Sequence, residues 1–381
     1  MVYRGVFMAI YFDNAATTKP SATAVEAFIQ GTALYGNPSS PHALGAEARR
    51  SLEAARVTLA GLAGCKSEEF YFTASGTESN NSAVYGLWEL RKRYGKRVIL
   101  TDSEHPSVKE PCRRLEAQGA EIVYLPTRGG VIDTDFLKEA IKTPSALVCV
   151  MLANNETGAV YDLKAVRDVI NGAGSRALLH CDAVQGFMKA EGCKQALRQA
   201  DTAAFSAHKL HGLRGVGGLM LKSNLHPPAF VVGGGQEKGI RSGTENLAAA
   251  AAFAAAAKEY GKDALEKVKE LRAYIEEKLK EIGNVGFNIP PKHLDGILNI
   301  SLRGIKSETA LNCLSAQGIY ISASSACSSK QAENTVLAAY GLDKADRECA
   351  LRIGISPLNT KEEADALVTA LAEARQRYGR I

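Results

Sequence analysis

From about residue 68 to residue 222 the chain repeats one pattern, a short apolar run, a turn, and an amphipathic stretch. Residues 69–73, 97–101, 121–125, 146–152, 177–181 and 202–205 read as strands, and residues 78–93 and 107–118 as helices. Apolar strands interleaved with helices pack as a mostly parallel sheet covered on both faces. In such a sheet, functional groups collect at the carboxyl ends of the strands, where the loops emerge. Thr77, Asp182 and Ser206 each directly follow one of these runs.

Residues 233–239 form a glycine-rich loop by composition, and residues 246–260 and 263–282 read as long helices. Past residue 284 the pattern resets, with strands at 296–302 and 350–355 and helices at 308–316 and 361–377. That is the signature of a smaller α+β domain, joined through the long helix. A chain of 381 residues has room for two or three domains. Its 46 basic and 41 acidic residues are interspersed. Without a basic block there is no case for nucleic-acid binding, although the mild positive balance suits small anions.

The 8 cysteines form no short CxxC pair, so neither a zinc cluster nor a disulfide framework is expected. Cys149 and Cys181 sit in apolar runs as small hydrophobes. A reducing, cytoplasmic setting follows. Residues 1–10 are briefly apolar but lack the long stretch and cleavage site of a signal peptide, and Met8 is an alternative start. Residues 248–257 are too few and too weakly apolar to span a bilayer, so a soluble protein is expected.

The chemistry lies in residues of the sheet region. Lys209 sits in Ser206-Ala207-His208-Lys209, downstream of Asp182 in His180-Cys181-Asp182-Ala183-Val184-Gln185. A lysine amine that forms a Schiff base and a carboxylate that holds a ring nitrogen protonated are what a pyridoxal phosphate site needs. Gln185 is placed to reach the ring's phenolate oxygen. Taken singly, Lys209 is a surface lysine and Asp182 a turn residue, and only the conjunction is specific. Residues 72–81 pass from a strand through Ala74-Ser75-Gly76-Thr77 into a helix, whose free N–H groups suit phosphate. The same run reads equally as an ordinary capped helix start. Ser206 and His208 are two further candidate phosphate donors.

His105, in a loop after a strand, is a candidate for stacking on the ring and carrying protons, or else a partly buried histidine before a helix. Asn155, in Asn154-Asn155-Glu156-Thr157-Gly158, belongs to a turn or a substrate-facing loop. Arg352, flanked by apolar residues, needs a partner; a substrate carboxylate held bidentately would serve, and so would a structural salt bridge. Cys327 differs from the other cysteines. Its neighbours Ser324-Ser325-Ala326 and Ser328-Ser329 are too small and polar to pack a core, and an exposed thiol there can become reactive.

These motifs, together with residues 11–18, 36–42 and 241–244, resemble the cysteine desulfurases of nitrogen-fixation and iron–sulfur-assembly (NifS/IscS-like) type within the class V aminotransferases. The resemblance runs from Tyr11 to about Arg375. It implies a pyridoxal-phosphate-dependent fold of type I: a large domain with a mostly parallel seven-stranded sheet (17–258), and a smaller α+β domain (1–16 and 259–381) carrying the cysteine loop and the carboxylate-binding arginine.

By resemblance Lys209 holds the cofactor, His105 stacks on its ring, and Asp182 pairs with the ring nitrogen. Gln185 and Asn155 lie at the phenolate edge, and Gly76, Thr77, Ser206 and His208 bind phosphate. Thr244 reaches the neighbouring subunit's phosphate, which makes the homodimer part of the site. Arg352 with Asn155 takes the carboxylate of L-cysteine, and Cys327 forms a persulfide for an iron–sulfur scaffold or a thiolation enzyme. In delivery to a scaffold Cys327 would touch a transient iron–sulfur cluster, with no metal resident in the protein.

Two departures stand out. Gly354 occupies a position where relatives often have serine, and the C-terminal extension by which housekeeping relatives dock a scaffold is expected to be lacking. A transaminase or selenocysteine lyase would share the cofactor set, and an inert sulfur-relay subunit would not need Lys209, His105 and Cys327 together. No G-x-G-x-x-G opens a first βαβ unit, which leaves a dinucleotide-dependent dehydrogenase without support.

Overall fold

The computed structural model describes residues 9–323 and 335–379. Its centre is a seven-stranded sheet whose spatial order is Phe70–Thr73, Gly217–Leu221, Thr202–Ser206, Leu178–Asp182, Ser145–Cys149, Arg97–Thr101 and Glu121–Leu125. Only Gly217–Leu221 runs against its neighbours; the other pairings are parallel. Side-chain alternation gives each strand two buried faces. Val98 and Leu100 pack with Leu87 and Trp88, whereas Ile99 between them packs with Leu125, Val148 and Leu179. Helices Gly76–Arg91 and Pro106–Arg114 cover the first face. Helices Ala43–Ala63, Leu163–Gly172 and Leu247–Glu259 cover the second.

The seventh strand, Gly217–Leu221, was not legible because it opens on two glycines, which ordinarily weaken a strand. Close packing requires them. A Cβ on Gly218 would lie 2.4 Å from the Phe70 ring, and one on Gly217 would lie 2.6 Å from the backbone of Ser75. Helices Ala22–Thr32 and Ala43–Ala63 escaped notice for a related reason. Their buried faces are built mostly of alanine and glycine, residues too small to mark a core face by themselves.

A second sheet, antiparallel and four-stranded, has the order Ser322–Ala323, Ala350–Gly354, Ile297–Leu302 and Val285–Phe287. Helices Lys262–Ile282, Ser307–Ala316 and Lys361–Tyr378 close over it around a separate core that includes Ile275, Leu298, Leu314, Ile353 and Leu371. Phe12 joins this second core, and Ile10–Tyr11 pairs with Ile319–Tyr320. Ala15 lies in the first core. The segment at residues 12–15 therefore passes between the two. No described helix is long and apolar enough to cross a membrane.

Candidate active site

Strand ends bring the candidates together. Asp182 and Ser206 are the last residues of adjacent strands rather than the first residues beyond them, a shift of one position from the sequence expectation. Lys209 closes the short turn Ala207–Lys209 that follows Ser206. Its Nζ donates to the carbonyls of Ala15 and Ala16, at 2.8 and 2.7 Å. Burial, with the Arg352 charge nearby, lowers the amine to about 8, against the opposing pull of Asp182. An amine lowered this far has a far larger neutral fraction near physiological pH than an ordinary lysine, and the neutral form is the nucleophile that attacks an aldehyde.

Asp182 Oδ1 accepts from the Val184 N–H at 3.0 Å and Oδ2 from Asn80 Nδ2 at 2.8 Å. Gln185 donates from Nε2 to Ala15 O at 2.7 Å and accepts from Lys189 Nζ at 3.2 Å. One backbone carbonyl, that of Ala15, therefore gathers both Lys209 and Gln185. His105 caps the helix Pro106–Arg114 from its N-terminus, its Nδ1 meeting the Ser107 N–H at 3.1 Å and Ser107 Oγ at 2.7 Å. Burial lowers its pKa, Asp182 raises it and Lys209 lowers it again. His105 thus feels both the carboxylate and the amine.

Ser75 caps the helix Gly76–Arg91. A Cβ on Gly76 would lie 2.6 Å from Val184 Cγ2 and 3.3 Å from Ser206 Cβ, so this helix start abuts the Asp182 and Ser206 loops. Thr77 is exposed at the helix start and Ser206 is buried beside it. Glu78, in the first turn, would repel an anion. Its Oε1 is instead ion-paired to Arg241 at 2.8 Å and its Oε2 accepts from the Ala74 N–H. His208 meets Thr17 Oγ1 through Nδ1 at 3.1 Å, while its carbonyl accepts from Thr18. Thr244 is exposed, and among the described residues no hydrogen bond joins it to the other candidates.

Arg352 and Asn155 do meet: Arg352 NH1 donates to Asn155 O and to Glu156 Oε1, both at 3.0 Å. NH2 is ion-paired to Asp13 at 3.1 Å. The guanidinium is therefore held by two carboxylates, and the salt-bridge reading of this arginine is realised here. Gly354, the departure noted above, has a packing reason. A Cβ there would come 2.6 Å from Ala15 N and 2.7 Å from Asn14 N, so glycine lets the Ala15 segment lie against the Arg352 strand.

Cys327 lies outside the described residues. Ser322, on the strand before it, donates to Asp13 Oδ1 at 2.8 Å, which ties that strand to the partner of Arg352. Among the described cysteines, burial pushes the thiols of Cys65, Cys193 and Cys349 up to about 12, 11 and 11, and raises those of Cys149 and Cys181 well above the ordinary thiol value. These thiols are held in the unreactive, protonated form. No group of three or more metal-ligating residues occurs among the described residues.

Sequence reasoning missed Asp13, Ala15, Asn80 and Ser107 as contributors, and His180 as more than a strand residue. The donor set suits a flat, phosphorylated pyridine aldehyde: helix N–H groups and hydroxyls at one end, an acceptor carboxylate at the other, and an amine of lowered pKa alongside.

Residues 10–367 match the family model described as Aminotransferase class-V. A NifS-type protein homologue from Lactobacillus delbrueckii subsp. bulgaricus is 40% identical over 382 residues, spanning 98% of both chains. A cysteine desulfurase from Archaeoglobus fulgidus is 35% identical, spanning 96% of this chain and 97% of its own. Among solved structures, a NifS-like protein superposes with a TM-score of 0.89 at 31% identity, covering 97% of this chain and 100% of its own. SspA, solved in complex with cysteine, has a TM-score of 0.80 at 27% identity and covers 92% and 99%.

Proposed function

We infer the activity from one premise: the chain belongs to the class-V aminotransferase family. It is a pyridoxal-phosphate-dependent cysteine desulfurase that converts L-cysteine to L-alanine and passes the sulfur on. The observation that carries this reading is the arrangement of Asp182 at one strand end, Lys209 in the turn after the adjacent strand, and His105 tied to Asp182 through Ser107 and Asn80.

When bound, pyridoxal phosphate supplies the electron sink for the charge that develops at the substrate α-carbon. Lys209 would hold it through its lowered-pKa amine and would carry the substrate's α-proton. Asp182 keeps the ring nitrogen protonated. Gly76, Thr77, Ser206 and His208 take the phosphate, with the Gly76–Arg91 helix dipole favouring its charge. Gln185 and Asn155 serve the phenolate edge, and His105 covers the ring and carries a proton. Arg352 and Asn155 take the substrate carboxylate, which competes with Asp13 and Glu156 for the guanidinium. Cys327 Sγ forms an S–S bond to the substrate sulfur as the Cβ–S bond breaks, and alanine leaves after reprotonation.

The two separate apolar cores support the division into residues 17–258 and residues 1–16 with 259–381. The exposure of Thr244, on a loop pinned by Arg241 to the phosphate-side helix, supports a homodimer in which Thr244 completes the neighbour's site. The buried, unreactive thiols are in keeping with a reducing cytoplasm, and the acceptor is an iron–sulfur scaffold or a thiolation enzyme. Purified protein loaded with cofactor and given L-cysteine should form alanine, and with a thiol reductant such as dithiothreitol present to reduce the persulfide it should also release sulfide. Cys327→Ser should keep the bound-cofactor absorbance and lose turnover, whereas full activity in that variant would refute the assigned role.

A further inference from the structure

Behind Asp182 and His105 runs a buried polar chain to which the reaction assigns no part. Asn80 is fully buried, as is His180. Asn80 Nδ2 lies 2.8 Å from Asp182 Oδ2 and 2.8 Å from Ser107 Oγ, and Asn80 Oδ1 lies 2.9 Å from His180 Nε2. His180 Nδ1 lies 2.9 Å from Thr202 Oγ1, and Ser107 Oγ lies 2.7 Å from His105 Nδ1.

Donor and acceptor counting leaves one solution. An ionised carboxylate only accepts, so the amide of Asn80 must turn its NH2 toward Asp182. That leaves Asn80 Oδ1 as the acceptor for His180, whose proton must then sit on Nε2 and whose Nδ1 must accept from the Thr202 hydroxyl. Burial keeps His180 neutral, lowering it to about 3. The second Asn80 hydrogen goes to Ser107 Oγ, and because the Ser107 backbone N–H donates to His105 Nδ1, that nitrogen carries no proton and the Ser107 hydroxyl turns its own toward it.

We propose that Asn80, through Ser107, is a positioning residue that fixes the Asp182 carboxylate and the His105 proton together, making His105 Nε2 the only nitrogen of that ring that exchanges protons in the reaction. This rests on the reading of Asp182 and His105 as the groups facing the cofactor. One buried amide thereby sets both the partner of the ring nitrogen and the proton carrier over the ring. The charged groups acting on His105 are Asp182, Lys209 and Lys109, and none of them supplies an acceptor for a proton on Nδ1 among the described hydrogen bonds.

The test is ring-¹⁵N NMR of histidine-labelled protein, without and with pyridoxal phosphate, the His105 signals being assigned by their loss in His105→Gln. Wild type should show unprotonated Nδ1 and protonated Nε2 at His105 already in the cofactor-free protein. Ser107→Ala should raise the Nδ1-protonated fraction about tenfold and shift the pH profile of kcat/KM, and Ser107→Thr should restore both. Asn80→Ala, if it folds, should also move the pH midpoint of bound-cofactor absorbance by about one unit. A His105 proton on Nδ1 in wild type, or an unchanged tautomer and profile in Ser107→Ala, overturns the proposal. Failure to bind pyridoxal phosphate with the tautomer as expected would instead strike at the functional reading.

Discussion

Glu104, next to His105, carries the sharpest stability prediction. It is 1% exposed, and Oε1 accepts from Thr101 Oγ1 at 2.8 Å and from the Met151 N–H at 2.5 Å. Oε2 is buried with no hydrogen-bond partner among the described residues. Burial, reinforced by the Asp182 charge, raises the carboxyl from 4.5 to about 8. The folded protein therefore keeps a proton that the unfolded chain sheds. Glu104's contribution is fully present below about pH 4.5 and is lost as pH rises to about 8. At about 1.4 kcal/mol per unit, the loss has a ceiling of ~5 kcal/mol.

Glu104→Gln cannot ionise, so it removes this slope. It also places an N–H2 group where Oε2 has no acceptor, at a cost of about 1–2 kcal/mol. The variant should be the less stable protein at pH 5 and the more stable one at pH 8.5, with a crossing between. Urea unfolding of the cofactor-free proteins across this range, followed by the fluorescence of the buried single tryptophan Trp88, measures it. Parallel pH dependences for the two proteins would show that Glu104 titrates as an ordinary carboxyl, and the argument would fail.

Glu237, on the glycine-rich loop, bonds Arg56 twice, at 2.6 and 2.8 Å, and also accepts from the Phe72 N–H, with both side chains buried. Glu237→Ala strands the Arg56 charge and should cost about 3–5 kcal/mol in denaturant unfolding. Lys209 is about half neutral near pH 8, so uptake of pyridoxal phosphate by the cofactor-free protein should accelerate through that pH. Arg352→Met removes the neighbouring positive charge that lowers Lys209 and should move the midpoint upward, as read by stopped-flow absorbance. Gly354→Ser drives a Cβ into the Asn14–Ala15 backbone and should destabilise by about 1–3 kcal/mol. It should also weaken cofactor affinity, measured by fluorescence titration, because Ala15 O holds Lys209 and Gln185.

Particular elements explain what was legible. The strands Arg97–Thr101 and Glu121–Leu125 were read to the residue, because β-branched and aromatic runs bounded by turns leave little choice. Gly217–Leu221 was missed because its glycines answer to the Phe70 ring, a neighbour remote in the chain. In the candidate site, Lys209, Asp182 and His105 stand out in the sequence by their chemistry and their places after strands. Asn80 lies within residues 72–81 but carries no visible task in the sequence, since an amide mid-helix announces nothing until its neighbours are in place.

Local sequence alone determined the alternating architecture, the separate second core, and the side chains that carry chemistry, because periodicity and side-chain type are properties of short segments. Tertiary structure alone decided that the Ala15 carbonyl receives Lys209, that Asp13 and Glu156 hold Arg352, and that Asn80 joins Asp182 to His105. These contacts join segments far apart in the chain, and several use backbone carbonyls or plain amides. Such groups are nearly identical at every position, and burial beside a particular partner is what gives them a role.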